Sequence, residues 1–161
     1  MTDAYAAASP EDLLSPQELL SMSGLEFLTA MKEGRLAGPP IAGLMNYRPS
    51  VVEAGRVVFS GAPAFEVMNP IGTVHGGWYG TLLDSCMACA VQTLLPRGTV
   101  YTTLEYKINI IRPVPLGMQV DAIGTASHVG RTTGVASGEI RGQEDGKLYA
   151  TGSTTCLIMT P

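Results

Sequence analysis

The sequence predicts an α+β domain in which one antiparallel sheet wraps around a single central helix, preceded by a helical segment. The predicted elements follow one another as a helix, two strands, a long helix and four strands. The long helix is apolar or small on all sides, which is typical of a helix surrounded by other elements. The last four strands are joined by short turns, as antiparallel neighbours can be. A sheet wrapped around the long helix is the simplest arrangement that covers it.

The composition fits a folded domain. The chain has 161 residues, of which 45% are hydrophobic, 15% are charged and 19 are glycine. This mixture excludes intrinsic disorder and suggests that extra surface is buried between subunits. The sequence has no cluster of lysine and arginine, so it does not predict nucleic-acid binding. We expect no signal peptide, no membrane span and, from three cysteines without framework spacing, a cytoplasmic location.

The chain divides by composition into an N-terminal arm and helical segment, 1–38, and a main domain, 39–161. The net charge is −4, and residues 1–33 hold six acids and one base. The excess negative charge therefore lies in the N-terminal segment, whose role the sequence leaves open.

Within the N-terminal segment, residues 1–15 read as a loose arm. Ser15 and Glu18 then form a predicted capping box at the start of a helix. Gly24 predicts a break in that helix, and the Gly38-Pro39-Pro40 sequence predicts its end.

The main domain begins with a predicted hairpin over 47–63, followed by a loop over 62–74 and the long helix over 76–95. The four strands that follow are predicted over 100–111, 118–129, 132–142 and 148–159. In the first of these, even-numbered residues from Val100 to Ile110 are predicted to share one face and odd-numbered residues the other.

The start of the long helix is one candidate site. Gly76 and Gly77 directly follow His75, so backbone N–H groups at a positive helix end are accessible to a ligand. Such a terminus suits a carbonyl oxygen that gains negative charge during a reaction. The alternative is that the two glycines only permit tight packing.

Asp84 is the second candidate, because it is the only acid between Glu66 and Glu105 and lies on a helix that should be buried. A buried carboxylate is costly unless it is bonded or used. The alternative is a structural aspartate bonded to Thr81 or Ser85.

Gly76 and Asp84 are about 12 Å apart along one helix. A single carbonyl cannot contact both in one chain. A two-fold dimer with antiparallel central helices would bring Gly76 of one subunit near Asp84 of the other.

Other candidate residues are weaker. Cys86 and Cys89 form a C-x-x-C pattern, but they lie too deep in the helix for a redox pair, which favours core packing. His75 and His128 are the only histidines, so no metal site is predicted.

The pattern Asn69-Pro-x-Gly-x-x-His75-Gly76-Gly77 with Asp84 resembles the hotdog-fold acyl-CoA thioesterases. The closer match is the phenylacetic acid degradation type, which includes 4-hydroxybenzoyl-CoA thioesterases with their acid on the central helix. The resemblance extends over about 40–159. It implies a hotdog fold and a homodimer, often a dimer of dimers and thus a homotetramer.

The resemblance also implies roles for individual residues. Gly76 would polarise the thioester carbonyl through its N–H, and Asn69 and His75 would shape this end of the site, with Asn69 helping to place water. Asp84 of the opposite subunit would act as general base or nucleophile, and Thr103 would hold the water.

The implied substrate is an acyl-CoA, with an aryl or medium-chain acyl group and with coenzyme A as part of the substrate rather than as a cofactor. Gly77, next to Gly76 at the helix start, is a candidate substrate-binding residue. Candidate residues for the phosphates are Arg131 and Arg97, and those for the acyl cleft are Trp78, Tyr79 and Met68.

Two other functions are compatible with the sequence. A hotdog hydratase or dehydratase would need a catalytic histidine, and His75 lacks the Asp-x-x-x-x-His spacing of that class. A non-catalytic acyl-CoA-binding module would bind the thioester without releasing a thiol.

Overall fold

The computed structural model describes residues 5–161, so the first four residues of the predicted arm lie outside the described chain. Short 3-10 helices occur at Pro10–Asp12 and Phe65–Val67. The helices are α1 Pro16–Leu20, α2 Gly24–Lys32, α3 Pro40–Met45 and α4 Gly76–Gln92. The strands are β1 Tyr47–Glu53, β2 Arg56–Gly61, β3 Val100–Ile110, β4 Val120–Val129, β5 Thr133–Gly142 and β6 Leu148–Met159. No helix among residues 5–161 is long and apolar enough to cross a membrane.

The six strands form one antiparallel sheet in the order β1-β2-β4-β5-β6-β3. The sheet packs on α4, so the predicted hotdog architecture is confirmed. Strand β3 follows α4 in the chain. It forms one edge of the sheet, because it pairs only with β6.

Ten of the 17 residues of α4 are buried, as its apolar surface predicts. The strands come close to the helix at glycines. A side chain at Gly124 would place its Cβ 2.0 Å from the carbonyl oxygen of Cys86. The helix ends at Gln92, three residues before the predicted end at 95, and the chain continues through turns that reach Leu95.

Helices α1 and α2 dock near the C-terminal end of α4. The predicted capping box is confirmed: the Glu18 N–H donates to Ser15 Oγ, and the Ser15 N–H donates to Glu18 Oε2. The predicted break at Gly24 is also confirmed, because α2 begins there. The Gly24 N–H donates to the Leu95 carbonyl oxygen at 3.0 Å, which joins α2 to the chain that follows α4.

Two expectations for the N-terminal segment were wrong. The described part of the arm is not loose, because Ala6 pairs with Gly38 in a parallel bridge and a 3-10 helix follows. Pro40 does not end helical structure but begins α3, since proline at the first helical position loses no intrahelical hydrogen bond. The division at 38/39 stays a prediction.

The even–odd alternation predicted for β3 was also wrong, because a β-bulge at Leu104 interrupts it. Thr103 pairs with Cys156 and Glu105 with Thr155, so Leu104 has no partner and is 58% exposed. The extra residue moves the helix-facing side chains from odd to even positions. Thr103 therefore faces α4 before the bulge, and Tyr106, which contacts Gly80, faces it afterwards.

Candidate active site

The start of α4 exposes a backbone donor. His75 is the N-cap residue, and its Nδ1 accepts a hydrogen bond of 2.8 Å from the Gly77 N–H. The Gly76 N–H, at the first helical position, has no acceptor among the described residues. Because Gly76 is partly exposed, this N–H can receive an incoming oxygen at the positive end of the helix.

Asn69 shapes the loop that leads to this helix. Its Oδ1 accepts hydrogen bonds from the N–H groups of Ile71 and Thr73, and its Nδ2 donates to Thr73 Oγ1 at 2.7 Å. These bonds close the turn before His75. The shaping role of Asn69 fits this geometry, and its role in placing water stays a prediction.

Asp84 is paired with Thr103 across the gap between α4 and β3. Thr103 Oγ1 donates to Asp84 Oδ1 at 3.0 Å. Under the structural alternative, Thr81 or Ser85 would bond to Asp84. Neither bonds to Asp84, because Thr81 donates to the Gly77 carbonyl and Ser85 bonds to the Tyr47 hydroxyl.

The surroundings of Asp84 disfavour its charged form. Burial raises the pKa of Asp84, and the hydrogen bond from Thr103 partly opposes this effect. Burial also raises the pKa of Tyr47 and that of Cys89 to about 12, so these neighbours are neutral at pH 7. Among the described residues, no cation forms an ion pair with Asp84. A carboxylate in this setting is suited to accept a proton.

The structure brings Asp84 to Thr103 but not to Gly76. Both lie on α4, eight residues apart and therefore separated by about 12 Å along its axis. One chain thus holds the two halves of the predicted site at a distance that a single thioester carbonyl cannot bridge.

Sequence reasoning missed Arg112, which lines a cavity of about 240 Å³ next to the helix start. The other lining residues include Thr73, Val74, Tyr79 and Ile110. The Ile110 side chain lies beside Gly76, with its Cδ1 3.5 Å from where a Cβ would be. The position of Arg112 just beyond β3 could have identified it once the direction of that strand was known.

The predicted acyl-cleft residues separate into two groups. Trp78 is 1% exposed and donates from Nε1 to the Met45 carbonyl at 2.9 Å, so the prediction that it lines an open cleft was wrong. Tyr79 is also buried, and its hydroxyl accepts from the Val114 N–H, although it borders the cavity beside Arg112. Met68 lines a neighbouring cavity of about 190 Å³.

The two predicted phosphate-binding arginines lie near the C-terminal end of α4. Arg97 forms an ion pair with Glu26 of α2, and this bond lowers the pKa of Glu26 to about 2. The Arg97 side chain is still 67% exposed, so its role in phosphate binding stays a prediction. Arg131 is exposed in the turn between β4 and β5. The start of β5 lies near the C-terminal end of α4, because Gly134 contacts Val91.

The cysteines belong to the core, as predicted. Cys86 and Cys156 have no exposed surface, and all three cysteines are free thiols. Among residues 5–161, no group of three or more His, Cys, Asp or Glu side chains is placed to hold a metal ion.

Sequence comparisons agree with this geometry. The profile of the thioesterase superfamily matches residues 71–149, which include the helix start, Asp84 and Thr103. A Caenorhabditis elegans protein provisionally named an esterase, F42H10.6, is 31% identical over 161 residues, 98% of this chain and 87% of its own. Acyl-coenzyme A thioesterase 13 of Homo sapiens is 29% identical over 101 residues, 63% of this chain and 71% of its own.

Two solved structures share the fold. A phenylacetic acid degradation-related protein from Ralstonia eutropha, provisionally named a thioesterase, has a TM-score of 0.73 and 28% identity, covering 81% of this chain and 98% of its own. A protein from Streptococcus pneumoniae, also provisionally named a thioesterase and solved with coenzyme A, has a TM-score of 0.67 and 28% identity, covering 74% of this chain and 91% of its own.

The fold and the comparisons together define a hotdog-fold protein of the thioesterase class. The chain belongs to the thioesterase superfamily, and the predicted family is confirmed.

Proposed function

We propose that the protein hydrolyses an aryl or medium-chain acyl-CoA to the free acid and coenzyme A. One observation carries the proposal: Asp84, half-buried and bonded to Thr103, lies on the same helix as the unpaired Gly76 N–H. A thioester needs no metal or serine nucleophile, because its carbonyl is already activated toward attack.

The Gly76 N–H polarises the thioester carbonyl. Negative charge develops on the carbonyl oxygen as the tetrahedral intermediate forms, and the positive end of α4 stabilises it. One fixed donor of this kind contributes about 10²–10³ in rate.

Asp84 supplies the attack in one of two ways. As a general base it takes a proton from a water held by Thr103, which contributes about 10²–10⁴ in rate. As a nucleophile its carboxylate attacks the carbonyl carbon, the coenzyme A thiolate leaves, and water then hydrolyses the anhydride.

The active site lies between two subunits. Antiparallel central helices would place Gly76 of one subunit beside Asp84 of its partner. The free edge of the sheet supports such a pairing, because β3 has one unpaired side and exposes apolar side chains. These are Leu104, Tyr106 and Ile110, and the exposed Ile111 follows directly after the strand. The assembly is then a homodimer that can pair again into a homotetramer.

The nucleotide end of coenzyme A lies against basic residues. Arg112 of the subunit that supplies Gly76 borders the cavity at the helix start. In the antiparallel dimer, the other subunit would bring its exposed Arg131 to the same end. Arg97, whose guanidinium is bonded to Glu26 on the surface, is the third candidate.

Residues 39–161 form the catalytic domain in this proposal, and residues 1–38 are an N-terminal segment docked on it. The three free thiols fit a reducing compartment such as the cytoplasm.

The test is thiol release from a panel of aryl and straight-chain acyl-CoAs by wild type, Asp84→Asn and Asp121→Asn. Asp121 is the matched control, because it is a half-buried carboxylate on β4 that accepts hydrogen bonds from Ser60 and Gln143. We expect Asp84→Asn to lose about 10²-fold or more in kcat and Asp121→Asn to retain activity. Equal release by wild type and Asp84→Asn would overturn the site. Tight binding without any release would identify a binding module, and water addition to an enoyl-CoA without thiol release would identify a hydratase.

A further inference from the structure

The hydroxyl of Thr103 has only one proton, and its direction matters for Asp84. A threonine hydroxyl donates one hydrogen bond, accepts up to two and rotates to suit its neighbours. In this structure the proton points to Asp84 Oδ1. A group that donates to Thr103 Oγ1 would keep that orientation, because the hydroxyl would then be accepting from one side and donating to the other.

Cys156 is placed to be that donor. It lies on β6 directly opposite Thr103 and has no exposed surface. Directly opposite residues have Cβ atoms about 4.5–5.5 Å apart, and both of these side chains face α4. Burial raises the pKa of the Cys156 thiol, and hydrogen bonding with Thr103 and Thr154 opposes this effect. The strand register and the shared direction of the two side chains place the thiol beside the Thr103 hydroxyl.

The neighbouring threonine on β6 cannot take the place of Cys156. Thr154 donates its own hydroxyl proton to the Glu105 carbonyl at 2.7 Å, at the bulge. This bond fixes the bulge that turns Thr103 toward α4. The hydroxyl of Thr154 therefore has no proton left for Thr103.

We propose that Cys156 is a positioning residue, whose thiol donates to Thr103 Oγ1 and thereby holds the Thr103 proton on Asp84. This inference rests on the proposed function, since it concerns the orientation of its general base or nucleophile. Cys156 itself does not contact the reacting atoms.

The groups around Asp84 make this orientation measurable. The charge of Asp84 acts on titratable groups of α4, β1, β3 and β6, and burial raises the pKa of each, so all are neutral at pH 7. They are Cys86, Cys89, Tyr47, Tyr101 and Cys156. With no cation nearby in the described chain, the Thr103 hydrogen bond is the interaction that lowers the pKa of Asp84. Weakening that bond raises the pKa of Asp84.

The test compares Cys156→Ala with Cys156→Ser, using Cys86→Ala as the matched control. Cys86 is an equally buried thiol, but it donates to the Leu83 carbonyl within α4. We measure kcat and KM for an acyl-CoA between pH 4 and 9. We expect Cys156→Ala to move the acidic limb of kcat/KM to higher pH and to lower kcat about 2- to 10-fold with little change in KM. Cys156→Ser should restore both, and Cys86→Ala should follow the wild-type profile.

A double mutant separates positioning from packing. If Cys156 acts through Thr103, Cys156→Ala has no further effect on the pH profile in a Thr103→Val background. Should Cys156→Ala fail to fold, Cys156→Val replaces it, since valine refills the volume without a donor.

A wild-type pH profile in Cys156→Ala, or a full additional effect in the Thr103→Val background, would overturn the role of Cys156. An active Asp84→Asn variant would instead overturn the proposed function, so the two failures are distinguishable.

Discussion

Two variants that are each inactive should restore activity when they share a dimer. Asp84→Asn removes the carboxylate, and Gly76→Pro removes the N–H donor. Since these groups lie about 12 Å apart along one helix, the proposed site takes Gly76 from one subunit and Asp84 from the other. A mixed dimer would then contain one site with both defects and one site with none.

Gly76→Pro removes the donor with little effect on the helix. Gly76 is the first residue of α4, where proline is well tolerated. His75 has φ −65° and ψ 139°, an extended conformation that suits a residue before proline. The matched control is Gly76→Ala, which adds a Cβ but keeps the N–H. That Cβ would lie 3.5 Å from Ile110, an ordinary contact.

The expected recovery follows from random pairing. When equal amounts of the two variants are unfolded and refolded together, about half of the dimers are mixed, and each has one intact site of two. The mixture should therefore show about a quarter of the wild-type thiol release per chain, whether or not dimers pair into tetramers. Each variant refolded alone should stay at least about 10²-fold below wild type.

The result that refutes the reasoning is a mixture no more active than its two components, although each component refolds and exchanges subunits. Full activity of Gly76→Pro alone would refute the donor role of Gly76 directly. A loss of activity in Gly76→Ala equal to that in Gly76→Pro would show that space, and not the N–H, is what matters.

Two further predictions concern stability. Because burial raises the pKa of Asp84, the folded state binds this proton more tightly than the unfolded state, and stability falls as pH rises from about 4 through the folded pKa. Asp84→Asn should therefore melt at a higher temperature than wild type at pH 7, by about 2–4 °C for each kcal/mol gained in the free energy of unfolding. The difference should vanish below about pH 4, and a difference independent of pH would contradict this. Gly124→Ala should cost about 3 kcal/mol in urea unfolding, since its Cβ would lie 2.0 Å from a backbone oxygen of α4. Gly138→Ala should cost less, because its Cβ would meet the flexible Met87 side chain at 2.7 Å, and the reverse order would show that α4 gives way more easily than Met87.

The fold could be predicted because its strongest signals are local. The Ser15 capping box and the surrounded helix α4 follow from residue types within a few positions of each other. The strand order could not be predicted, since it depends on which distant strand pairs with β3. The bulge at Leu104 was missed for a related reason. Strict alternation in the sequence gives no local sign that one residue is extra. The bond at the bulge comes from another strand, where Thr154 donates to the Glu105 carbonyl.

The candidate site residues that the sequence could identify are those whose residue type is unusual at its position. Asp84 stands out as an isolated acid, and Gly76 as a glycine at a helix start. Residue type alone misplaced Trp78 and did not reveal the ion pair of Arg97 with Glu26. A tryptophan near a motif can equally belong to the core, and an arginine near a turn can be bonded to a distant acid, here Glu26. Both outcomes depend on contacts far apart in the chain.

The bulge and the carboxylate are best understood together. Without the extra residue at Leu104, the inward alternation of Tyr106 and Ile108 would continue back along β3 and turn Thr103 away from α4. Asp84 would then be half-buried beside neutral groups with no hydrogen bond to its carboxylate, and its ionised form would be harder to maintain. The bulge therefore allows one edge strand to pack large side chains against the first half of α4 and to supply a hydroxyl to its only acid. The same bulge turns Leu104 outward at the free sheet edge, where a partner subunit would cover it. The geometry that orients the carboxylate thus also shapes the surface through which, in the proposed dimer, the second half of the site would arrive.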